Sequence, residues 1–376
     1  MALLLLLIFV LPVVAVLLFM LQDATSLAAW AALLRHPQLL GGLELSLFTG
    51  VFATVIAIFV SILIVLTAFE RGRISLLSRG VGPMLAVPHL AFAIGLSFVI
   101  MPSGVLARLL APLFGWADPP TWVSTHDPYG LALVVALAVK ECGFLIFAFL
   151  GVLSRADVRQ SFQSQHAVAQ SLGHGSLSIW LRILLPQVAR QMIWPFVIVF
   201  FFATSVVDMA LVLGPTQPPT FSMVVWSDLN AASRADNARG GAGAVLLALA
   251  SGTVLLCAYG LINTLRPTFM RYATCGPSLR PAPLWLGAAK WHGLIILYIA
   301  AVTVLLLLSF APLWPFPNLF PPQWSPAAWA QVTSRPDAVM ASLALAGLSC
   351  VIAITALIGW FETRPLRDDR IILIIS

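Results

Sequence analysis

The sequence predicts an all-α, polytopic membrane protein of about eight helices, and three observations predict it. Charged residues make up 9% of the 376-residue chain, against about 25% in soluble domains. Hydrophobic residues make up 60%, with a mean hydropathy of +1.00. The apolar residues are gathered into blocks long enough to cross a bilayer, which takes roughly 20 residues per helix. A water-soluble globule is excluded. Helices are the open-ended way to span, because lipid offers no partner to a free backbone amide.

The blocks run over 2–21, 46–69, 81–101, 131–153, 192–213, 242–263, 293–311 and 339–361. The first begins at Met1 without the basic flank of a signal peptide and is too long for one, so it reads as a retained helix. The third contains Pro88 and His89, where proline frees a carbonyl for His89 or water to satisfy. After it, 106–114 is amphipathic enough to lie along the outer interface. The fourth block holds Lys140 and Glu141 near its middle; the fifth carries Asp208 about two-thirds along, shortly before Gly214-Pro215. The Pro218-Pro219 turn beyond it is expected to shape an outer or re-entrant loop.

Charge placement gives sidedness. With a cytoplasmic N-terminus, the inside segments are those near 70–80, 154–191, 264–292 and 362–370, and of the 20 basic residues fourteen fall there, five outside and one, Lys140, within a span. This positive-inside asymmetry accounts for the net charge of +6 as topology, so no nucleic-acid partner is expected. The expected location is a bacterial inner membrane, with the lipid bilayer as solvent. Cys142, Cys257, Cys275 and Cys350 lie far apart, without metal-ligand spacing or a disulfide framework, and are expected to be small packing residues.

An internal repeat organises the chain. Ala28-Ala29-Trp30-Ala31 recurs as Ala327-Ala328-Trp329-Ala330, Val55-Ile56-Ala57-Ile58 as Val351-Ile352-Ala353-Ile354, and Phe69-Glu70 as Phe361-Glu362. The chain therefore reads as a six-helix unit over 1–285, followed at 286–376 by the first two helices of a second. The apolar ending 371–376 suggests a truncated or frameshifted two-unit protein.

The most informative stretch is the loop 154–191. Gln165-His166-Ala167-Val168-Ala169-Gln170-Ser171-Leu172-Gly173 predicts a short helix ended at Gly173, where glycine permits a left-handed cap. A second helix is expected to place Leu177, Trp180, Leu181 and Leu184 on one face before Pro186 breaks it into the next span. Such a pair, angled by a glycine hinge, is suited to pressing into another protein.

This loop resembles the signature of permease subunits of binding-protein-dependent ABC importers: Glu-Ala-Ala, three residues, Gly, nine residues, Ile, any residue, Leu-Pro. Here Gly173, Ile183, Leu185 and Pro186 stand at the required spacing and Ala169 fills the third triplet position. Ala167 stands where that family has Glu, and Val168 where it has Ala. The resemblance implies a type I importer fold in which this loop, with His166 to Leu172 as docking helix, seats in an ATPase subunit at the cytoplasmic face. It also implies a periplasmic substrate-binding protein and a second permease unit as partners. Tandem six-helix units are similar to the permeases of thiamine and ferric-iron importers, and 88–95 with Asp208 and 214–220 look most like the thiamine type. Consistent with ATP being bound by a partner and no cofactor by this chain, neither lysine, Lys140 after Val139 nor Lys290 after Ala289, sits in a phosphate-cradling Gly-Lys-Ser/Thr loop.

Ionisable residues inside a span are costly and default to functional candidates. Lys140, Glu141, Asp208 and His89 are the candidates for a translocation path. Lys140 and Glu141, adjacent on a helix, need not pair with each other. For both, a structural ion pair with another span is the competing role, for Asp208 a capping role, and for His89 a packed one. The chain is expected not to be an enzyme. The rivals to a permease are an ion-coupled secondary transporter relaying through Lys140, Glu141 and Asp208, a membrane enzyme, and a non-functional truncated product.

Overall fold

The computed structural model describes residues 25–275 and 285–363, with Leu11, Val14, Ala15, Leu17 and Leu18. Most of the first predicted span, Arg280, Arg364, Arg367, Arg370 and the ending 371–376 lie outside the described residues. The described chain is helical, with six helices long and apolar enough to cross a membrane, or seven if one bent pair counts as a span. This is the fold of a polytopic membrane protein.

The elements, in order, are α1 (Leu27–Leu34), α2 (Leu39–Glu70), α3 (Ile74–Ala86), α4 (His89–Ile100), α5 (Val105–Phe114), α6 (Leu131–Ser154) and α7 (Ala156–Ser171). They continue with α8 (Ser176–Ile179), a π-helical turn (Trp180–Leu184), α9 (Leu185–Gln191), α10 (Ile193–Ser205) and α11 (Asp208–Leu213). The last are α12 (Phe221–Leu229), α13 (Arg234–Cys275), α14 (Trp285–Ser309), α15 (Ala327–Thr333) and α16 (Pro336–Thr363).

Helices α2 and α6 form the centre. Along α2 small residues recur at near-helical spacing: Ser46, Gly50, Ala53, Ala57 and Ser61, with the four non-glycines at 1% exposure or less. Without a hydrophobic drive between helices in lipid, such a stripe lets backbones approach and pack. It does so here: a Cβ on Gly50 would stand 2.3 Å from Thr204 Cγ2 of α10, and Ser61 Oγ reaches the Cys142 carbonyl of α6 at 3.3 Å. Helix α6 starts where Asp127 accepts hydrogen bonds from the amides of Tyr129, Leu131 and Ala132, capping its first turn.

Helix α14 lies against α2 and α4. A Cβ on Gly95 would meet the Ala301 carbonyl at 2.2 Å, and one on Gly287 would meet Thr67 Oγ1 at 1.8 Å. The predicted second unit therefore begins with a helix packed onto the first. The repeated stretches share a local form, a short helix (α1, α15) followed by a long one (α2, α16), but differ in surroundings. Helix α2 is half buried, whereas α16 exposes almost its whole length.

Two predicted spans are broken. The block 81–101 divides at Val87-Pro88 into α3 and α4; the block 192–213 divides at Val206-Val207 into α10 and α11. Each break frees carbonyls that the protein interior must satisfy. At Val206 the Ser222 hydroxyl donates to the carbonyl at 2.8 Å.

The segments assigned to one side meet at one end. His166 reaches Glu70, and Gly287 abuts Thr67. At the other end, Arg108 donates to the carbonyls of Ser103, Trp314, Pro315 and Asn318, and His126 Nδ1 pairs with the Gly214 carbonyl at 2.7 Å. Helix α5 shows the expected amphipathicity, with Ala107, Arg108 and Ala111 buried and Leu109 and Leu113 exposed. The Pro218-Pro219 turn packs on Gly41 and Gly42 at the start of α2, a shaping contact.

Of the cysteines, Cys142 is a packing residue, bonded to Ser61 and 1% exposed. The expectation fails for Cys257 and Cys350, which are exposed on α13 and α16. An apolar run in a membrane helix has lipid-facing as well as packed positions, and hydropathy does not separate them.

Candidate functional site: the loop helices and the polar interior

Helix α7 ends as the glycine predicted. Gly173 has φ +82, in the left-handed region. Its amide donates to the Gln170 carbonyl at 2.9 Å, and the His174 amide to the Ala169 carbonyl at 3.1 Å. These two bonds form a Schellman cap, which satisfies orphan carbonyls and turns the chain sharply. The helix is longer than the predicted docking segment, reaching back to Ala156.

Pro186 does not end the second helix, contrary to expectation. A π-helical turn at Trp180–Leu184, with the Leu185 amide donating to the Trp180 carbonyl, widens the backbone ahead of the proline. Pro186 then sits in the first turn of α9, where its missing N–H costs nothing and its φ suits a helix. The break falls later, at Met192, with a bend of 68° into α10. The buried face is Ile179, Trp180, Leu184 and Val188. Leu181 is only partly buried, and Leu177 lies outside the described side chains.

The loop helices are fastened to the end of α2. His166 Nε2 lies 2.7 Å from Glu70 Oε1. The Phe69 ring meets the Trp180 ring edge-on at 5.4 Å and that of His166 at 5.8 Å. Between the loop helices, Gln187 Nε2 donates to Gln165 Oε1 at 2.9 Å. Ala169 faces inward at 4% exposure. Ala167, Val168 and Leu172 face outward, Val168 at 60% and Leu172 at 73%. Ile183, Leu185 and Pro186 are partly buried along the second helix. The arrangement is a capped helix anchored on one side and offering the apolar Val168 and Leu172 on the other.

In the interior, Lys140 and Glu141 are both buried and point to different partners. The Lys140 ammonium donates to the Met84 carbonyl at 3.0 Å and to the Val87 carbonyl, and lies 5.6 Å from the Tyr298 ring centroid. Met84 stands four residues before Pro88, so its carbonyl is the one that the missing proline N–H leaves free. Lys140 satisfies it, where His89 or water was expected. His89 instead turns its Nε2 to Glu141 Oε1 at 3.3 Å and packs on Phe202, with ring centroids 4.8 Å apart. Its side chain remains 37% exposed. Asp208 is not part of this cluster. It opens α11 just past the second break, partly buried, and among the described residues its carboxylate has no hydrogen-bond or ion-pair partner.

Sequence reasoning did not identify Glu70, Tyr298 or Ser222 as partners. Glu70 was marked by the repeat, since Phe69-Glu70 is one of the matched pairs, but its contact to His166 needs the fold.

The site defines a polytopic helical membrane protein with a fastened helical loop at one end and a braced polar interior. No protein-family profile matches the chain. It is similar to the inner membrane ABC transporter permease protein YnjC of Escherichia coli (strain K12), 27% identical over 356 residues, which are 95% of this chain. The chain spans 63% of that protein's length.

Proposed function

We propose that this chain is a membrane-spanning permease subunit of an ABC importer in a bacterial inner membrane, with its N-terminus and the α7 loop on the cytoplasmic side. One observation carries the reading: α7 is capped at Gly173 at the signature spacing, anchored to α2 through His166 and Glu70, and leaves Val168 and Leu172 exposed. A helix so held transmits force, because a push on its exposed edge reaches the end of a central span. In this reading ATP is bound and hydrolysed by a partner subunit docked on that edge, and this chain is not itself an enzyme. The similarity to a permease over 95% of the chain supports the same class.

A periplasmic binding protein would deliver the solute at the opposite end, and a second permease unit would cover α16, whose apolar length is exposed. The solute is read as a small cation of thiamine type, because the partly buried Asp208 carboxylate lacks a partner among the described residues. The ion-coupled rival needs Lys140 free to exchange protons, whereas its ammonium is committed to two backbone carbonyls.

Gly173 provides the test. In the left-handed region a β-branched residue is strained by roughly 1–3 kcal/mol, while asparagine tolerates the conformation. Nothing stands within 4 Å of a Cβ there, so crowding plays no part. Gly173→Val is expected to lower solute-stimulated ATP hydrolysis by the reconstituted complex at least tenfold, and Gly173→Asn to restore most of it. Equal activity in all three forms would remove the loop from the mechanism.

A further inference from the structure

At the end of the bundle where α2 turns into α3, a recess of about 80 Å³ opens between these helices and the start of α14. Arg71 and Arg73 line it on either side of Gly72, whose φ of +63 makes the tight turn that brings them together. Both guanidiniums are exposed, and among the described residues neither has an ion-pair or side-chain hydrogen-bond partner. The adjacent Glu70 turns its carboxylate to His166, at 2.7 Å, and forms no ion pair with either arginine. No acidic residue lines the recess. Its other walls are apolar and aromatic: Ile64 and Leu77 on one side, Trp291 on the other. His292 also lines it, with Nδ1 held by the Ala288 carbonyl at 2.7 Å. The close approach of Gly287 to Thr67 closes the α2 and α14 side.

We infer that this recess binds the headgroup phosphate of an anionic phospholipid. Three features select that occupant. Two unpaired guanidiniums match a phosphodiester in charge and geometry. The recess lies at the end of a membrane-spanning helix, the depth of a headgroup, with an aromatic wall of the kind that sits at a membrane interface. Basic pockets between transmembrane helices on the cytoplasmic side are suited to anionic headgroups, and the fourteen-to-five bias of basic residues puts this end on that side. The lipid would fasten α14 to α2 and α3 at the foot of the helix to which the α7 loop is anchored. The inference does not rest on transport, only on the spanning fold.

The test is lipid retention by the purified full chain in detergent, read by native mass spectrometry. Phosphatidylglycerol and phosphatidylcholine with identical acyl chains are offered together. The expected result is a preference for phosphatidylglycerol that falls about fivefold in Arg71→Gln and is lost in the double variant with Arg73→Gln. Arg79→Gln removes an exposed charge from α3 outside the recess and should leave the preference unchanged. No preference in the wild type, or an equal fall in Arg79→Gln, would overturn the site. Displacement of the bound lipid by soluble glycerol phosphate would assign the recess to a free phosphate ligand and overturn the lipid occupant.

Discussion

At the first broken span the brace is the Lys140 side chain. A broken span leaves backbone carbonyls exposed to a medium that cannot hydrogen-bond them, and Lys140 satisfies two at once, of Met84 and Val87. Its charge is offset by that pair of dipoles and by the face of Tyr298. Lys140→Met keeps the length and apolar stem but removes the donor. Each carbonyl left unmade costs about 1–3 kcal/mol, so the variant should unfold at clearly lower temperature in detergent, read by loss of helical circular dichroism. An unchanged transition would show that Lys140 is not the brace. At the same break the buried Glu141 meets His89, whose side chain is 37% exposed, and these two are the path candidates the geometry brings together. Asp208, at the second break, remains apart from them.

Among the elements, the fastening of α7 to α2 decides how the loop acts. Phe69 and Glu70 at the last turn of α2 meet His166 and Trp180, one from each loop helix, so a single point on α2 holds both. His166→Ala and Glu70→Gln should each weaken solute-stimulated ATP hydrolysis. The double variant should lose less than the sum of the two singles, because both substitutions remove the shared His166–Glu70 contact. Fully additive losses would mean that the two residues act separately. How far these elements could be read in advance follows from the physics of each. The Gly173 cap was legible because a left-handed turn at a fixed spacing needs glycine, whatever surrounds it. Pro186 was misread as a stop because the rule for proline assumes an α-helical turn before it. A π turn relaxes that clash and leaves no mark in composition. The breaks at Val87-Pro88 and Val206-Val207 differ in the same way: the first is written as a proline, while the second carries no proline, and its freed Val206 carbonyl is met by the Ser222 hydroxyl of α12, a contact that needs the fold.

For the whole molecule, the bilayer made most of the architecture legible, since one rule fixes the length and polarity of every span. The division of the segments between two ends agrees with the contacts: Glu70 with His166 at one end, Arg108 with 314–318 at the other. Helix order around the centre was not legible, because the small-residue stripe of α2 looks like any apolar stretch until α6 and α10 pack on it. The exposed faces of α13 and α16 are apolar, as lipid or further transmembrane helices require. In the proposed role, ATP hydrolysis by a partner at the α7 end drives movement of solute through this bundle. Uptake of thiamine, the proposed solute, by membrane vesicles carrying the full complex, with internal ATP and the proton gradient varied independently, separates ATP drive from ion coupling. Uptake is expected to persist when the gradient is collapsed and to stop when ATP is withdrawn; uptake that follows the gradient and ignores ATP would rule out ATP drive.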